Sequence, residues 1–244
     1  MNHIKHLSLI IIFLTSCTSD VTDNLDANLL ISPDFDFSTQ FFECKLNKGF
    51  NLINLESFIS DLVREGVIEN TEANDFKIYF PKSEYVDQFI MALKNYTKND
   101  AYTKFIDNLS NRGFDEIASC KYDKNELMGV SLFISDLEIE KSSYSAELLR
   151  CIYNEGYNFG TFRIAIERFT NQINLLNIPY EALYIESNQS SEDFIWINNY
   201  YSKDFSNEIS AEWLNNTETI DIKDEFLENA KCVDAKLYDV FKIS

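Results

Sequence analysis

Residues 44–51 read C-K-L-N-K-G-F-N, and residues 151–158 read C-I-Y-N-E-G-Y-N. Four residues recur in step (Cys44/Cys151, Asn47/Asn154, Gly49/Gly156, Asn51/Asn158), with an aromatic at Phe50 and at Tyr157. Each copy follows a short apolar run. Each also precedes apolar residues at helical spacing: Leu52, Leu55, Ile59, Leu62 and Val63 after the first, and Phe159, Phe162, Ile166, Phe169 and Ile173 after the second. The phrase therefore marks a strand-to-helix corner that the chain uses twice. Gly49 and Gly156 are expected to turn the chain at positive φ, with Asn47 and Asn154 hydrogen-bonded to the local backbone. Asn51 or Asn54 is a suitable cap for the first helix.

The repeat extends beyond the phrase. Gln88–Leu93 (Q-F-I-M-A-L) aligns with Asp193–Asn198 (D-F-I-W-I-N), and Cys120 and Cys232 each precede a last apolar run, Leu127–Ile134 and Leu237–Ile243. Gln40–Leu46, Phe76–Phe80, Leu148–Tyr153 and Tyr180–Ile185 read as further strands, and Asn99–Leu109, Phe205–Leu214 and Asp221–Ala230 as helices. A polar stretch at 135–146 separates the two halves. Each half reads β-α-β-β-α-β, so the fold class is α+β, with modules at 39–135 and 147–244. The phrase, the Phe-Ile-Trp-Ile strand and the late cysteine resemble the dimeric α+β barrel group, and within it a set of uncharacterised bacterial proteins with tandem units. That resemblance implies two tandem ferredoxin-like (βαββαβ) modules packed as an internal pseudo-dimer.

The start of the chain is a targeting segment. Lys5 precedes an apolar run from Leu7 to Leu14, and Leu14-Thr15-Ser16-Cys17 follows. The run is far shorter than the ~20 residues that span a bilayer. These residues resemble the lipobox of bacterial lipoproteins. The resemblance implies that residues 1–16 are a signal peptide, that Cys17 is lipidated, and that the protein is held to the membrane through it. Thr18 after the cysteine implies the outer membrane of the cell envelope rather than the inner. Residues 17–38, polar and acidic, read as a tether.

With 45% hydrophobic and 14% aromatic residues, the chain can bury substantial cores. Its formal charge of −19 argues against nucleic acid and against direct docking on anionic headgroups. One absence decides more than any motif. The only histidines, His3 and His6, lie in the signal segment. Histidine-based nucleophilic systems, histidine-ligated metals and a histidine-held haem are thereby excluded from the mature chain. General acid–base work would fall to Asp, Glu, Lys, Tyr or Cys, which weighs against catalysis. No cofactor and no metal site is expected.

Beyond Cys17, four cysteines remain, two per module, in a chain bound for an oxidising compartment. The repeat favours Cys44–Cys120 with Cys151–Cys232. Cys44–Cys151 with Cys120–Cys232 is the symmetric alternative. A zinc site of four thiolates is the third, weakened by the lack of any C-x-x-C pair. Tyr184, Trp196 and Tyr200 are the candidate rim of a pocket, although Trp196 and Trp213 also suit a core. The function expected from the residues is a non-catalytic, lipid-anchored envelope protein that binds a small ligand or a protein partner. The alternative is a cofactor-independent small-molecule enzyme of the α+β barrel group, some of whose members oxidise aromatic compounds between sheet and helices.

Overall fold

The computed structural model describes residues 33–66, 74–82, 87–96, 101–121, 126–137, 142–187, 190–201 and 217–243. The lipobox at Cys17, the tether as far as residue 32 and the expected helix at Phe205–Leu214 lie outside the described residues. The first half runs β1 (Phe37–Leu46), α1 (Leu52–Arg64), β2 (Asn74–Pro81), β3 (Gln88–Asn95), α2 (Ala101–Asn111), α3 (Phe114–Ile117), β4 (Ala118–Lys121) and β5 (Leu127–Ile134). The second runs β6 (Ser143–Tyr153), α4 (Phe159–Leu176), β7 (Tyr180–Ser187), β8 (Ser190–Tyr200), α5 (Thr217–Asn229) and β9 (Ala230–Lys242).

Eight strands close into an antiparallel barrel in the order β1-β3-β2-β9-β6-β8-β7-β5 and back to β1. The halves meet at two seams, β2 with β9 and β5 with β7. In the first half the last strand is split: β5 pairs with the start of β1 and β4 with its end. In the second half β9 runs unbroken along β6, with one bulge opposite Arg150 and Cys151.

Strand alternation divides the interior into three apolar clusters. Phe76 and Ile78 of β2 point to the helices of the first half, while Tyr79 points into the barrel lumen with Leu183, Ile197 and Tyr238. Phe162, Ile166, Phe194 and Trp196 lie in the layer between sheet and helices in the second half. Phe37 belongs to the lumen, so β1 begins inside the span 17–38 expected to be tether. It can do so because Gly129, its partner on β5, lacks the Cβ that would collide with the Phe37 ring.

Every repeated residue of the phrase has a structural task. Cys44 and Cys151 are disulfide-bonded to Cys120 and Cys232. In each half the two cysteines stand directly opposite each other, because the first and last strands are neighbours. Asn47 Nδ2 donates to the carbonyls of Asp115 and Glu116 (2.9 and 3.1 Å), and Asn154 Nδ2 to those of Leu227 and Glu228 (2.9 and 2.8 Å). These asparagines were expected to bond locally; instead each satisfies open carbonyls at the end of the helix before the last strand. Gly49 and Gly156 turn the chain at φ 96° and 84°. Asn51 and Asn158 cap α1 and α4, each in a reciprocal box with Asn54 or Thr161.

One end of the lumen is ionic. Lys77 Nζ lies 2.9 Å from Asp75, and Glu181 accepts hydrogen bonds from Asn199 Nδ2 (2.7 Å) and Tyr201 Oη. Lys94 Nζ sits 3.9 Å above the centre of the Phe37 ring. Burial pushes the Glu181 carboxyl up, but Lys77, Lys94 and its two donors outweigh this and hold it below its usual value. Burial pulls the Lys94 ammonium down to about 8, against the opposing pull of Glu181. Among the described residues, no helix is long and apolar enough to cross a membrane.

Candidate functional site

The second half is not solid. A cavity of about 580 Å³ lies between the outer face of the sheet and helices α4 and α5. That volume falls in the range of small-molecule sites, roughly 300–1,000 Å³. Its deep wall is aromatic: Phe162, Phe169, Phe194, Trp196 and Phe226 enclose it. Their rings interlock at centroid distances such as 4.7 Å for Phe162–Phe226 and 5.5 Å for Phe169–Trp196. The Cys151–Cys232 disulfide forms part of the sheet-side wall.

A polar strip crosses the end of the cavity away from that disulfide. Asn198 Oδ1 accepts from Trp196 Nε1 (2.6 Å) and from Tyr180 Oη. Asn198 Nδ2 donates to Glu147 Oε2 (2.8 Å), and Tyr200 Oη donates to the same oxygen (3.3 Å). Glu147 is the cross-strand partner of Asn198 and shares a face of β6 with Leu149 and Cys151. Burial, reinforced by Tyr200, holds the Tyr180 phenol well above its ordinary pKa. Burial and then the Glu147 charge do the same for Tyr200. Both phenols therefore stay protonated and act as donors at neutral pH. The chain of hydrogen bonds converges on one carboxylate.

Of the expected rim, Trp196 and Tyr200 line the cavity and Tyr184 does not. Tyr184 lies fully buried beside it, where its hydroxyl bonds to Tyr153 Oη (2.9 Å) and donates to Glu186 (2.7 Å). Sequence reasoning missed Tyr180, Asn198 and Glu147. A signal for Asn198 was present in the repeat, since it aligns with the apolar Leu93. Gln40 faces Leu93 in the first half as Glu147 faces Asn198 in the second, and Phe42 faces Met91 as Leu149 faces Trp196. Phe42, Met91 and Leu93 are buried in the apolar cluster of the first half, whereas Leu149, Trp196 and Asn198 line the cavity of the second.

No family model matches the sequence, and no curated protein matches it. Solved structures do match the fold. A protein from Lactobacillus acidophilus named as a monooxygenase superposes with a TM-score of 0.53 at 6% identity, covering 85% of this chain and 95% of that one. A variant of chlorite dismutase from Candidatus Nitrospira defluvii gives 0.53 at 12%, covering 89% and 96%. The chain has a chlorite dismutase-like fold. An anthrone oxidase-like protein gives 0.50 at 10%, covering 88% and 96%. At such identities the likeness is one of fold.

The names carried by this chlorite dismutase-like group are those of enzymes, which overturns the expectation of a non-catalytic envelope protein and moves the weight to the alternative. The cavity wall holds no histidine, and the chain's only two are His3 and His6, so a haem held by histidine does not fit here. Among the described residues there is also no cluster of three or more His, Cys, Asp or Glu side chains placed to hold a metal ion.

Proposed function

We propose that this protein is a small-molecule enzyme that works without a bound cofactor, seating an aromatic substrate in the cavity between α4, α5 and the sheet. The observation that carries this reading is the hydrogen-bonded strip of Tyr180, Asn198 and Tyr200 at one end of a largely apolar cavity, backed by Glu147. Glu147 stands behind the lining and takes a proton from an acidic C–H or O–H of the substrate through Tyr200, whose hydroxyl gives its own proton to Glu147 as it accepts the substrate's. Tyr200 and Asn198 hold the carboxylate in place while it does so. The resulting electron-rich anion is oxidised by dioxygen. For a substrate with an activated ring CH2, the balance is CH2 + O2 → C=O + H2O, four electrons passing from carbon to oxygen.

The oxidase-like and monooxygenase names among proteins of the same fold support this class of chemistry. Oxygen uptake by the full chain with an anthrone-type substrate tests it. One O2 should be consumed per substrate, and Glu147→Gln should slow turnover by about 10²–10⁴-fold. Uptake no faster than the uncatalysed rate would refute the proposal.

Two organisational readings accompany it. The halves are tandem ferredoxin-like modules arranged as an internal pseudo-dimer, which is supported by the matching strand order β2-β3-β1-β5 and β7-β8-β6-β9. Lipidation at Cys17 holds the enzyme in the bacterial envelope, at the outer membrane, a reading supported by the Leu14–Cys17 residues. Labelled palmitate should enter the wild-type chain and not the Cys17→Ala variant.

A further inference from the structure

The opening of the cavity differs in character from its interior. Phe162, Ile173, Phe194 and Trp196 are buried, whereas Lys223, Leu227 and Lys231 are exposed and so mark where the cavity meets solvent. Lys223 lies on α5 and Lys231 at the start of β9, so the mouth opens between helix and strand.

Among the described residues, two charged side chains line the cavity, and both are cations. The chain as a whole has 40 acidic and 21 basic residues. Helix α5 sharpens the contrast. It carries Glu218, Asp221, Asp224, Glu225 and Glu228, and its one basic residue, Lys223, is the one at the cavity. Neither Lys223 nor Lys231 takes part in an ion pair among the described residues, whereas Arg168, which also faces α5, is paired with Glu225. At the far end of the cavity the groups are neutral donors and an amide backed by Glu147.

We infer that the molecule this cavity takes is a planar aromatic bearing an acidic group, the rings lying against Trp196 and Phe162 and the anion held at the mouth by Lys223 and Lys231. The inference rests on the cavity being the substrate site, as proposed above. Aromatic walls suit rings through edge and face contacts that a saturated chain cannot make. The two ammonium groups supply charge-assisted hydrogen bonds to a carboxylate or sulfonate without burying it. The reacting end of the molecule then meets the Asn198 strip and the acid group stays in water, so binding does not require the anion to be desolvated.

A matched pair of probes tests this: 1-anilinonaphthalene-8-sulfonate and its uncharged counterpart N-phenyl-1-naphthylamine, which has the same rings. The readout is quenching of Trp196 in a Trp213→Phe background, where it is the chain's one tryptophan, checked against Phe162→Ala, which removes a cavity ring and should weaken a probe bound there. The sulfonate should bind more tightly, and Lys223→Gln/Lys231→Gln should weaken it by about five-fold while leaving the neutral probe unchanged. Equal affinities, or a double variant without effect, would overturn the anionic preference and leave the cavity proposal standing. Failure of both probes to quench Trp196 would overturn the cavity proposal and this inference with it. Dodecanoate displacing the sulfonate as well as an aromatic acid does would overturn the requirement for rings.

Discussion

Asn154 and Leu227 lie 73 residues apart in the chain, yet the Asn154 amide donates to the Leu227 carbonyl at 2.9 Å and thereby closes the end of α5. The same amide reaches Glu228. Both bonds are solvent-exposed, so water can take the place of the lost donor, and Asn154→Ala should lower stability by about 0.5–1.5 kcal/mol, read as a shift in the urea midpoint. Asn47→Ala should cost a similar amount through the equivalent contacts to Asp115 and Glu116.

The two disulfides close segments with sequence separations of 76 and 81 residues. Each therefore removes much freedom from the unfolded chain. On the chain-entropy account, Cys151→Ser/Cys232→Ser should cost about 2–5 kcal/mol. Because that bond also forms part of the cavity wall, the variant should lose affinity for a cavity probe as well. Cys44→Ser/Cys120→Ser, in the other half, should lose stability alone.

Asn198→Leu places in the second half the residue that the first half already has. Tyr180 and Trp196 would keep donors with no acceptor, and Glu147 would lose one of its two hydrogen bonds. We expect a loss of about 1–3 kcal/mol in stability and a larger proportional loss in turnover. Calorimetry and oxygen uptake on the same preparation separate the two effects.

Lys94 gives a pH signature. Burial brings its ammonium to about 8, whereas an ordinary lysine titrates near ~10.4. Between these values the unfolded chain binds the proton and the folded chain does not, so stability rises with pH across that window and levels off above it. Below about pH 8 both states are protonated and the cost of burying the charge is present in full. Lys94→Met should be more stable than wild type at pH 7 and should lack the alkaline rise in urea midpoint. Glu181, held low, acts at the other end of the scale. Its contribution is present above the ordinary carboxylate range and is lost as pH falls through its folded value.

Gly129 meets the Phe37 ring where a side chain would begin. Gly129→Ala should overpack the lumen beside the β1–β5 seam and cost about 1–3 kcal/mol. Gly129→Ala/Phe37→Leu should recover part of that loss, as melting temperatures would show.

The sequence carried the architecture because the phrase is built from residues with narrow local roles. A glycine at positive φ, an asparagine that caps a helix and a half-cystine can each be read from type and spacing, and their repetition placed two strand–helix corners. It also places both histidines, His3 and His6, ahead of the repeated modules. What it could not determine was the use of Asn47 and Asn154, whose partners lie far along the chain, or the charge inside the lumen. Lys77, Lys94 and Glu181 sit on strands whose period alone does not say which face closes into a barrel.

The cavity was decided by tertiary structure. Two modules of the same plan present Met91 and Trp196 at matching places, and nothing local says that Trp196 borders a cavity. That depends on how helices α4 and α5 stand off the sheet, and on Glu147, Asn198, Tyr180 and Tyr200 meeting from three strands. Local interactions determine where a chain turns. A hollow is what remains between distant surfaces, so only the closed barrel with its helices in place defines it.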